Sequence, residues 1–247
     1  RRIVSDLNFY KNLSYLNDIE YVEKNINRNI LSSEITNKNI LDYGCGVGDA
    51  SYIFNKLSPA TITGIDIGES NIHICKNNES FKDNMLFIRA DLNDYDLGVK
   101  KYDLIYSDTT IEFLQKDVEY ILSDFKKAMK PNGVLYLSFT KKTLVNILIF
   151  KILNLIKLIF TDRIKVMFFY LILFKYFLSG VRIEDKNNIK NKVEYLFVPF
   201  IKLMSEEKVL DALKKNNFKL IYLRDRIKSD INSPSHIELK AILSIEK

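Results

Sequence analysis

"ILDYGCGVGDA", residues 40–50, places Gly44, Gly46 and Gly48 directly behind an apolar, β-prone run, in a chain with only eight glycines among 247 residues. Glycine is favoured where the backbone needs positive φ, or where something must approach closer than a Cβ permits. A strand followed by such a turn and then by the helical stretch "DASYIFNKLS" (49–58), stopped by Pro59, marks a place where a ligand lies against the chain.

The rhythm continues outward from that turn. "KNILDY" (38–43), "TITGIDI" (61–67), "MLFIRADL" (85–92), "YDLIYSD" (102–108) and "VLYLSF" (134–139) read as strands. Between them "ESNIHICKNNES" (69–80) and "VEYILSDFKKAMK" (118–130) read as helices, the second ended by Pro131-Asn132-Gly133. Strands alternating with helices of about 10–15 residues predict a parallel sheet covered on both faces. Burial on both faces also explains why these strands are apolar on nearly every residue. At the far end "SEEKVLDALKKNN" (205–217) is a helix with Ser205 as N-cap, and "FKLIYLRD" (218–225) and "HIELKAILSIEK" (236–247) form an antiparallel edge hairpin.

Composition bounds the function. The chain is globular in type, with 47% hydrophobic and 28% charged residues. Cys45 and Cys75 are too few for a disulfide framework and suit a reducing cytosol. No C-x-x-C or H-E-x-x-H spacing appears and His73 and His236 lie far apart, so no metal is expected. The opening stretch lacks the features of a signal peptide, so a cytoplasmic protein is expected.

The net charge of +6 is not spread evenly. Residues 141–202 carry 12 Lys/Arg against 4 Asp/Glu, a net of +8, which leaves the rest of the chain at −2. Within that segment 143–178 is intensely apolar but interrupted by Lys151, Lys157, Arg163, Lys165 and Lys175, too often for a membrane span. It reads as a pair of amphipathic helices, either a lid or dimer surface packed on its apolar face, or an element lying at the inner face of a membrane. The division expected is a helical cap (1–37), a cofactor-binding core (38–142), the apolar basic insert (143–202) and a closing helix and hairpin (203–247).

The glycine pattern is D-x-G-x-G-x-G from Asp42 to Gly48, with Asp49 where a dinucleotide fingerprint needs its third glycine. This disfavours a nicotinamide-dependent oxidoreductase. With Asp66 ending the second strand, Asp91 ending the third, "YDLIYSDTTIEFL" (102–114) and "AMKPNGVLYLSF" (128–139), the chain resembles the small-molecule branch of class I S-adenosylmethionine-dependent methyltransferases over roughly 38–140. The resemblance implies an α/β, Rossmann-like, seven-stranded, mostly parallel sheet with an antiparallel last strand, helices on both faces and a helical insert. It implies S-adenosyl-L-methionine as cofactor and places around it Asp42, Tyr43, Gly44, Cys45, Gly46, Gly48, Asp66, Ile67, Asp91, Leu92 and Ser107. In that family Asp66 would receive the ribose hydroxyls, Asp91 and Leu92 would meet the adenine, and Ser107 would lie near the methionine part.

Plainer roles stand beside these. Asp66 could cap a helix, Asp91 could cap the "LNDY" turn, Asp42 could serve the loop's own amides, and Cys45 could simply fill space. The branch often has a histidine after the Glu of its fourth motif, but Phe113 follows Glu112 here, so no general base is evident. His236, Asp108 and Tyr10 are the candidates for catalysis or acceptor contact. "SDTT" (107–110) is not the Asn/Asp-Pro-Pro-aromatic run of amino-group methylation, and no Pro-Cys nucleophile is present. A nucleic-acid acceptor is not expected, because the core is not net basic. The expected acceptor is a small or lipid-linked molecule, with a homodimer as a further possibility. The alternative from another class is a non-catalytic, cofactor-binding partner subunit.

Overall fold

A computed structural model describes residues 19–78, 83–159, 201–226 and 236–244. Tyr10, most of the insert and much of the final hairpin loop lie outside the described residues. Among these residues the chain order is α1 (Ile19–Asn29), β1 (Asn39–Tyr43), α2 (Asp49–Asn55), β2 (Thr61–Asp66), α3 (Glu69–Lys76), β3 (Met85–Arg89), β4 (Tyr102–Ser107), α4 (Val118–Ala128), β5 (Met129–Thr140), α5 (Leu144–Ile159), α6 (Glu206–Lys215), β6 (Phe218–Asp225) and β7 (His236–Leu243). Short 3-10 turns stand at Ser32–Glu34 and Ile111–Phe113.

The strands form one seven-stranded sheet in the order β3-β2-β1-β4-β5-β7-β6. The first five are mutually parallel, and β7 runs antiparallel to both β5 and β6. The strand order reverses beside β1, between β2 and β4, so the carboxyl ends of β1, β2 and β4 frame the crevice where open α/β sheets bind ligands.

Each face has its own apolar layer. On one face α4 lays Val118, Ile121, Leu122 and Phe125 against the sheet, joined by Val209, Ala212 and Leu213 of α6. Each such aliphatic or aromatic side chain contributes about 1.5–3 kcal/mol on burial. On the other face α1 and the residue just after it set Val22, Ile26 and Ile30 four residues apart, one stripe, against Ile53, Phe54, Ile40 and Tyr136. Asp117 caps α4 by accepting from Glu119 N, and Ser205 caps α6 by accepting from Lys208 N, as its sequence position predicts.

The α4–β5 junction differs from the sequence reading. Pro131-Asn132-Gly133 was expected to separate helix from strand, yet β5 begins at Met129, immediately after Ala128. Met129 pairs with Tyr102, and pairing resumes at Leu104↔Val134, so the extra residues bulge. Asn132 takes φ +61° at the exposed bulge. Proline lacks a donor and is tolerated where the ladder is already interrupted.

A buried polar cluster ties α1 to the last two strands. Glu238 of β7 is fully buried and accepts from Arg28 and Arg224, while Asn29 donates to it and accepts from Tyr222 and Arg224. Helix α1 is thereby tied through its last turn to β6 and β7.

Candidate functional site

The turn after β1 is built from three glycines with positive φ: +81° at Gly44, +54° at Gly46 and +86° at Gly48. They serve different ends. A Cβ on Gly44 would fall 2.2 Å from Thr110 Oγ1, so this glycine lets the loop after β4 close over the turn. A Cβ on Gly46 would meet nothing within 4 Å, so here the backbone borders open space.

A glycine turn between a parallel strand and a helix can offer its amides to a ligand. Four of them are instead used inside the fold. Gly44 N and Cys45 N both donate to Ile65 O, Gly48 N donates to Cys45 O, and Gly46 N donates to Asp66 Oδ2 at 3.0 Å. The physical reason is proximity: β2 runs parallel beside β1 and ends in a carboxylate within reach of the turn. What the loop offers a ligand is a rim without side chains.

Asp66 holds three donors. Oδ2 accepts from Gly46 N, and Oδ1 accepts from Gly68 N at 2.7 Å and Asn71 Nδ2 at 3.1 Å. A carboxylate has about four acceptor positions, so room for one further donor lies on Oδ2, beside the rim. Burial raises its pKa, partly countered by the Gly68, Asn71 and Gly46 bonds. Ile67, next in sequence, is half-buried.

Asp42 and Tyr43 lie behind the rim. Asp42 is buried and accepts from Ser51 Oγ at 2.7 Å, which joins β1 to α2; burial pushes its carboxyl up to about 7. The Tyr43 ring meets Phe125 edge-on at 4.9 Å, and its hydroxyl donates to Leu92 O at 3.1 Å. Tyr43 thus positions the segment after β3, in which Leu92 is buried. There Asp91 Oδ1 accepts from Asn93 N and Asn93 Nδ2, both at 2.9 Å, closing a local turn.

Cys45 packs with Ile72, Cys75 and Phe87, and burial raises its pKa well above the usual thiol value, so it stays a thiol. Ser107, the last residue of β4, is fully buried and its hydroxyl has no protein partner, an uncompensated polar atom beside the loop that closes over Gly44.

The end of the sheet on the other side of β4 holds the remaining charges. Asp108 receives both terminal nitrogens of Arg226, Nη2 on Oδ2 at 2.8 Å and Nη1 on Oδ1, together with the Ser138 hydroxyl and Tyr106 OH. Burial alone would raise its pKa, but Arg226 outweighs it and the carboxyl is held below its ordinary value. Asp108 is therefore an anchored anion. Arg226 also donates to Tyr21 of α1. His236 is half-buried at the start of β7, with Nε2 3.2 Å from Thr140 Oγ1. Thr140 donates to Glu112 Oε1 at 2.9 Å; Glu112 is fully buried, its Oε2 has no protein partner, and burial pushes its carboxyl up to about 7.

The structure places Asp42, Tyr43, Gly44, Cys45, Gly46 and Gly48 in and behind the turn, Asp66 and Ile67 at the end of β2, Asp91 and Leu92 just after β3, and Ser107 at the end of β4. It sets Asp108 and His236 apart from them, toward β5 and β7. Arg226 and Thr140 had not been singled out from the sequence, and Glu112 had been noted only for its neighbour. Among the described residues no cluster of three His, Cys, Asp or Glu could hold a metal ion.

This doubly covered sheet with a glycine turn after β1 and carboxylates after β2 and β3 is the class I methyltransferase architecture. The S-adenosylmethionine-dependent methyltransferase from Mesorhizobium loti superposes with a TM-score of 0.57 at 16% identity, over 85% of this chain and 92% of that one. Residues 35–220 match the family described as "Methyltransferase domain", and the chain belongs to that family. It is 36% identical over 107 residues to malonyl-[acyl-carrier protein] O-methyltransferase 2 of Ilyobacter polytropus, covering 42% of this chain and 40% of that protein. It is 32% identical over 132 residues to the ubiquinone biosynthesis O-methyltransferase of Pelagibacter ubique, covering 51% and 53%. The chain spans about half the length, or less, of these curated relatives. The cofactor of this family is S-adenosylmethionine. The residues present fit it, because the Gly46 rim leaves space that a side chain would fill, and the open Asp66 position and the unpartnered Ser107 hydroxyl lie to either side.

Proposed function

We propose that this chain is an S-adenosylmethionine-dependent methyltransferase that methylates an oxygen of a small-molecule or lipid-linked acceptor. The observation that carries this reading is the Gly46 rim, open on one side and clasped by Asp66 on the other. Asp66 would take a ribose hydroxyl at its remaining acceptor position, Asp91 and Leu92 would border the adenine, and Ser107 would face the methionine part. Asp42 would set the loop from behind. When bound, the cofactor supplies an electrophilic methyl on a sulfonium, so the protein's task is to hold an acceptor in line and exclude water. The two relatives described above are named as O-methyltransferases, which favours oxygen over the carbon named for another match, a sterol 24-C-methyltransferase, and all of these names favour an enzyme over a non-catalytic partner subunit.

The division into a cap (1–37), a cofactor core (38–142 with 203–247) and an acceptor-side insert (143–202) belongs to this reading. So does a membrane contact. α5 presents Leu144, Val145, Leu148 and Ile152 to solvent, Leu144 at 86% exposure, on a segment whose net charge is +8. No helix among the described residues is long and apolar enough to cross a membrane. An amphipathic, basic element suits the surface of an anionic bilayer, so the protein would work in the cytoplasm at the inner face of the membrane.

The function is tested with methyl-labelled S-adenosylmethionine against polar and alkyl-chain hydroxyl acceptors. Label in an acceptor supports it; label in none, from protein that binds the cofactor, favours the partner-subunit alternative. Flotation with anionic vesicles tests the surface. Flotation lost on deleting 143–178 supports it, whereas a stable dimer that never floats assigns the apolar face to a second copy of the chain.

A further inference from the structure

Resting on the S-adenosylmethionine reading above, we propose that Asn71 occupies one oxygen of Asp66 and so lets that carboxylate seat only one of the cofactor's two ribose hydroxyls. Asn71 is thereby a positioning residue that sets which part of the ribose is recognised.

The first sign is a glycine with no conformational need. Gly68 caps α3 at φ −69° and ψ 114°, extended values that any residue adopts. Ser, Thr, Asp or Asn is favoured at such a position, because its side chain accepts from an early helical amide. Gly68 makes no such bond. What glycine provides here is room. A Cβ would fall 2.7 Å from Asn71 Nδ2 and 2.9 Å from Asp66 Oδ1, against both partners of the Asn71–Asp66 hydrogen bond. The helix gives up a side-chain cap so that Asn71 can reach Asp66.

The contact is costly for Asn71. As the third residue of α3 it stands where a side chain can reach back and accept the N–H of the capping residue. Asp66 Oδ1 has already taken the Gly68 N–H at 2.7 Å, and Asn71 Oδ1 is left buried with no partner in the protein. A buried amide oxygen without a donor destabilises the fold. Turning the amide round gives no relief, because its oxygen would then face the Asp66 carboxylate at 3.1 Å. The benefit of Asn71 therefore falls on Asp66 and not on α3.

That benefit is an orientation. Each carboxylate oxygen has two acceptor positions. Oδ1 is filled by Gly68 N and Asn71 Nδ2, while Oδ2 holds Gly46 N and keeps one position beside the open rim. Seating both ribose hydroxyls on one carboxylate needs two open positions, and Asp66 has one. The neighbouring side chains do not supply another. Ile67 is apolar, Gly68 has no side chain, the Glu69 carboxylate engages Arg89 at 3.0 Å, and Asn71 Oδ1 is sealed from the surface. The site thus reads one hydroxyl and ignores its neighbour, so it admits adenosyl ligands that lack the neighbour.

Calorimetry of the full chain with S-adenosylhomocysteine, and with its counterparts lacking either the 2′ or the 3′ hydroxyl, tests this. One deoxy ligand is expected to bind about 10- to 100-fold more weakly than the parent, the loss of a hydrogen bond to a charged acceptor, and the other within about threefold. Asn71→Ala frees the carboxylate to turn either oxygen toward the ribose, so the gap between the two deoxy ligands should shrink to less than about fivefold. Gly68→Ala should narrow the gap too, because its backbone already suits alanine and the added methyl parts Asn71 from Asp66. Similar losses for both deoxy ligands with the wild-type chain, or no loss for either, overturn the proposal. So does a gap unchanged in both variants, which would leave Asn71 a purely structural residue. A folded wild-type chain that binds none of the three ligands sinks the cofactor reading itself, a separable outcome.

Discussion

Gly46→Ala should separate ligand binding from folding. The added methyl meets no protein atom within 4 Å, so its cost to the fold is that of an L-residue at φ +54°. That is about 1–2 kcal/mol. For a chain of this size such a loss corresponds to a fall in Tm of roughly 2–8 °C. The same methyl enters the space assigned to the cofactor, and overfilling a packed contact costs about 1–3 kcal/mol. Affinity for S-adenosylhomocysteine should therefore drop by roughly 5- to 150-fold. Gly44→Ala is the contrast: φ is also positive, at +81°, but its methyl would fall 2.2 Å from Thr110 Oγ1. It should lose more stability than Gly46→Ala, because Thr110 and the turn behind it must move. Thermal unfolding and calorimetry on the two variants read both effects. Were Gly46→Ala to bind the ligand within twofold of wild type, the rim would not be the cofactor's seat. An unfolding loss as large as that of Gly44→Ala would show that the space beside Gly46 is not open.

Stability should fall as pH rises through neutrality. Asp42 and Glu112 both have folded pKa values pushed up to about 7, above their ordinary values of 3.8 and 4.5. The folded state holds these protons longer than the unfolded one, so their contribution is full below about pH 4 and is lost as pH climbs to about 7. Asp42→Asn should flatten that decline and recover up to about 4 kcal/mol above pH 7, as read by urea titration across pH; an unchanged slope would refute the assignment. Arg226→Met leaves the Asp108 carboxylate without its counter-charge and should destabilise by about 3 kcal/mol, also by urea unfolding. A loss under about 1 kcal/mol would mean the pair is solvated. Ser51→Ala removes the hydroxyl donated to Asp42 at 2.7 Å, so it should raise the Asp42 pKa further and steepen the same decline.

The alternation of apolar runs with helical stretches was enough to place β1, β2 and β4, because strands buried on both faces leave an unbroken apolar signature, whereas β6, mostly exposed, was legible only as one arm of a hairpin. The start of β5 was not legible. Pro131 and Gly133 carry strong turn signals, and only the pairing of Met129 with Tyr102 shows that the ladder begins before them. At the site, glycine spacing and the carboxylates at the end of β2 and after β3 pointed to one end of the sheet, but not to the contacts made there. Spacing says that Asp66 ends a strand; it does not say that Asp66 takes the Gly46 amide, which depends on how β1 and β2 are aligned. Arg226 gave no signal, since its partner Asp108 stands 118 residues earlier. The Glu112–Thr140–His236 chain was hidden for the same reason, because its middle contact exists only in the β5–β7 register.

Calorimetric titration of the wild-type chain with S-adenosylhomocysteine, with NAD as the control ligand, addresses the central claim most directly. The account predicts saturable binding of the thioether at one site per chain, weakened by Gly46→Ala and by Asp66→Ala, and no heat with NAD. Binding of NAD instead, or no heat from either ligand with folded protein, would contradict it.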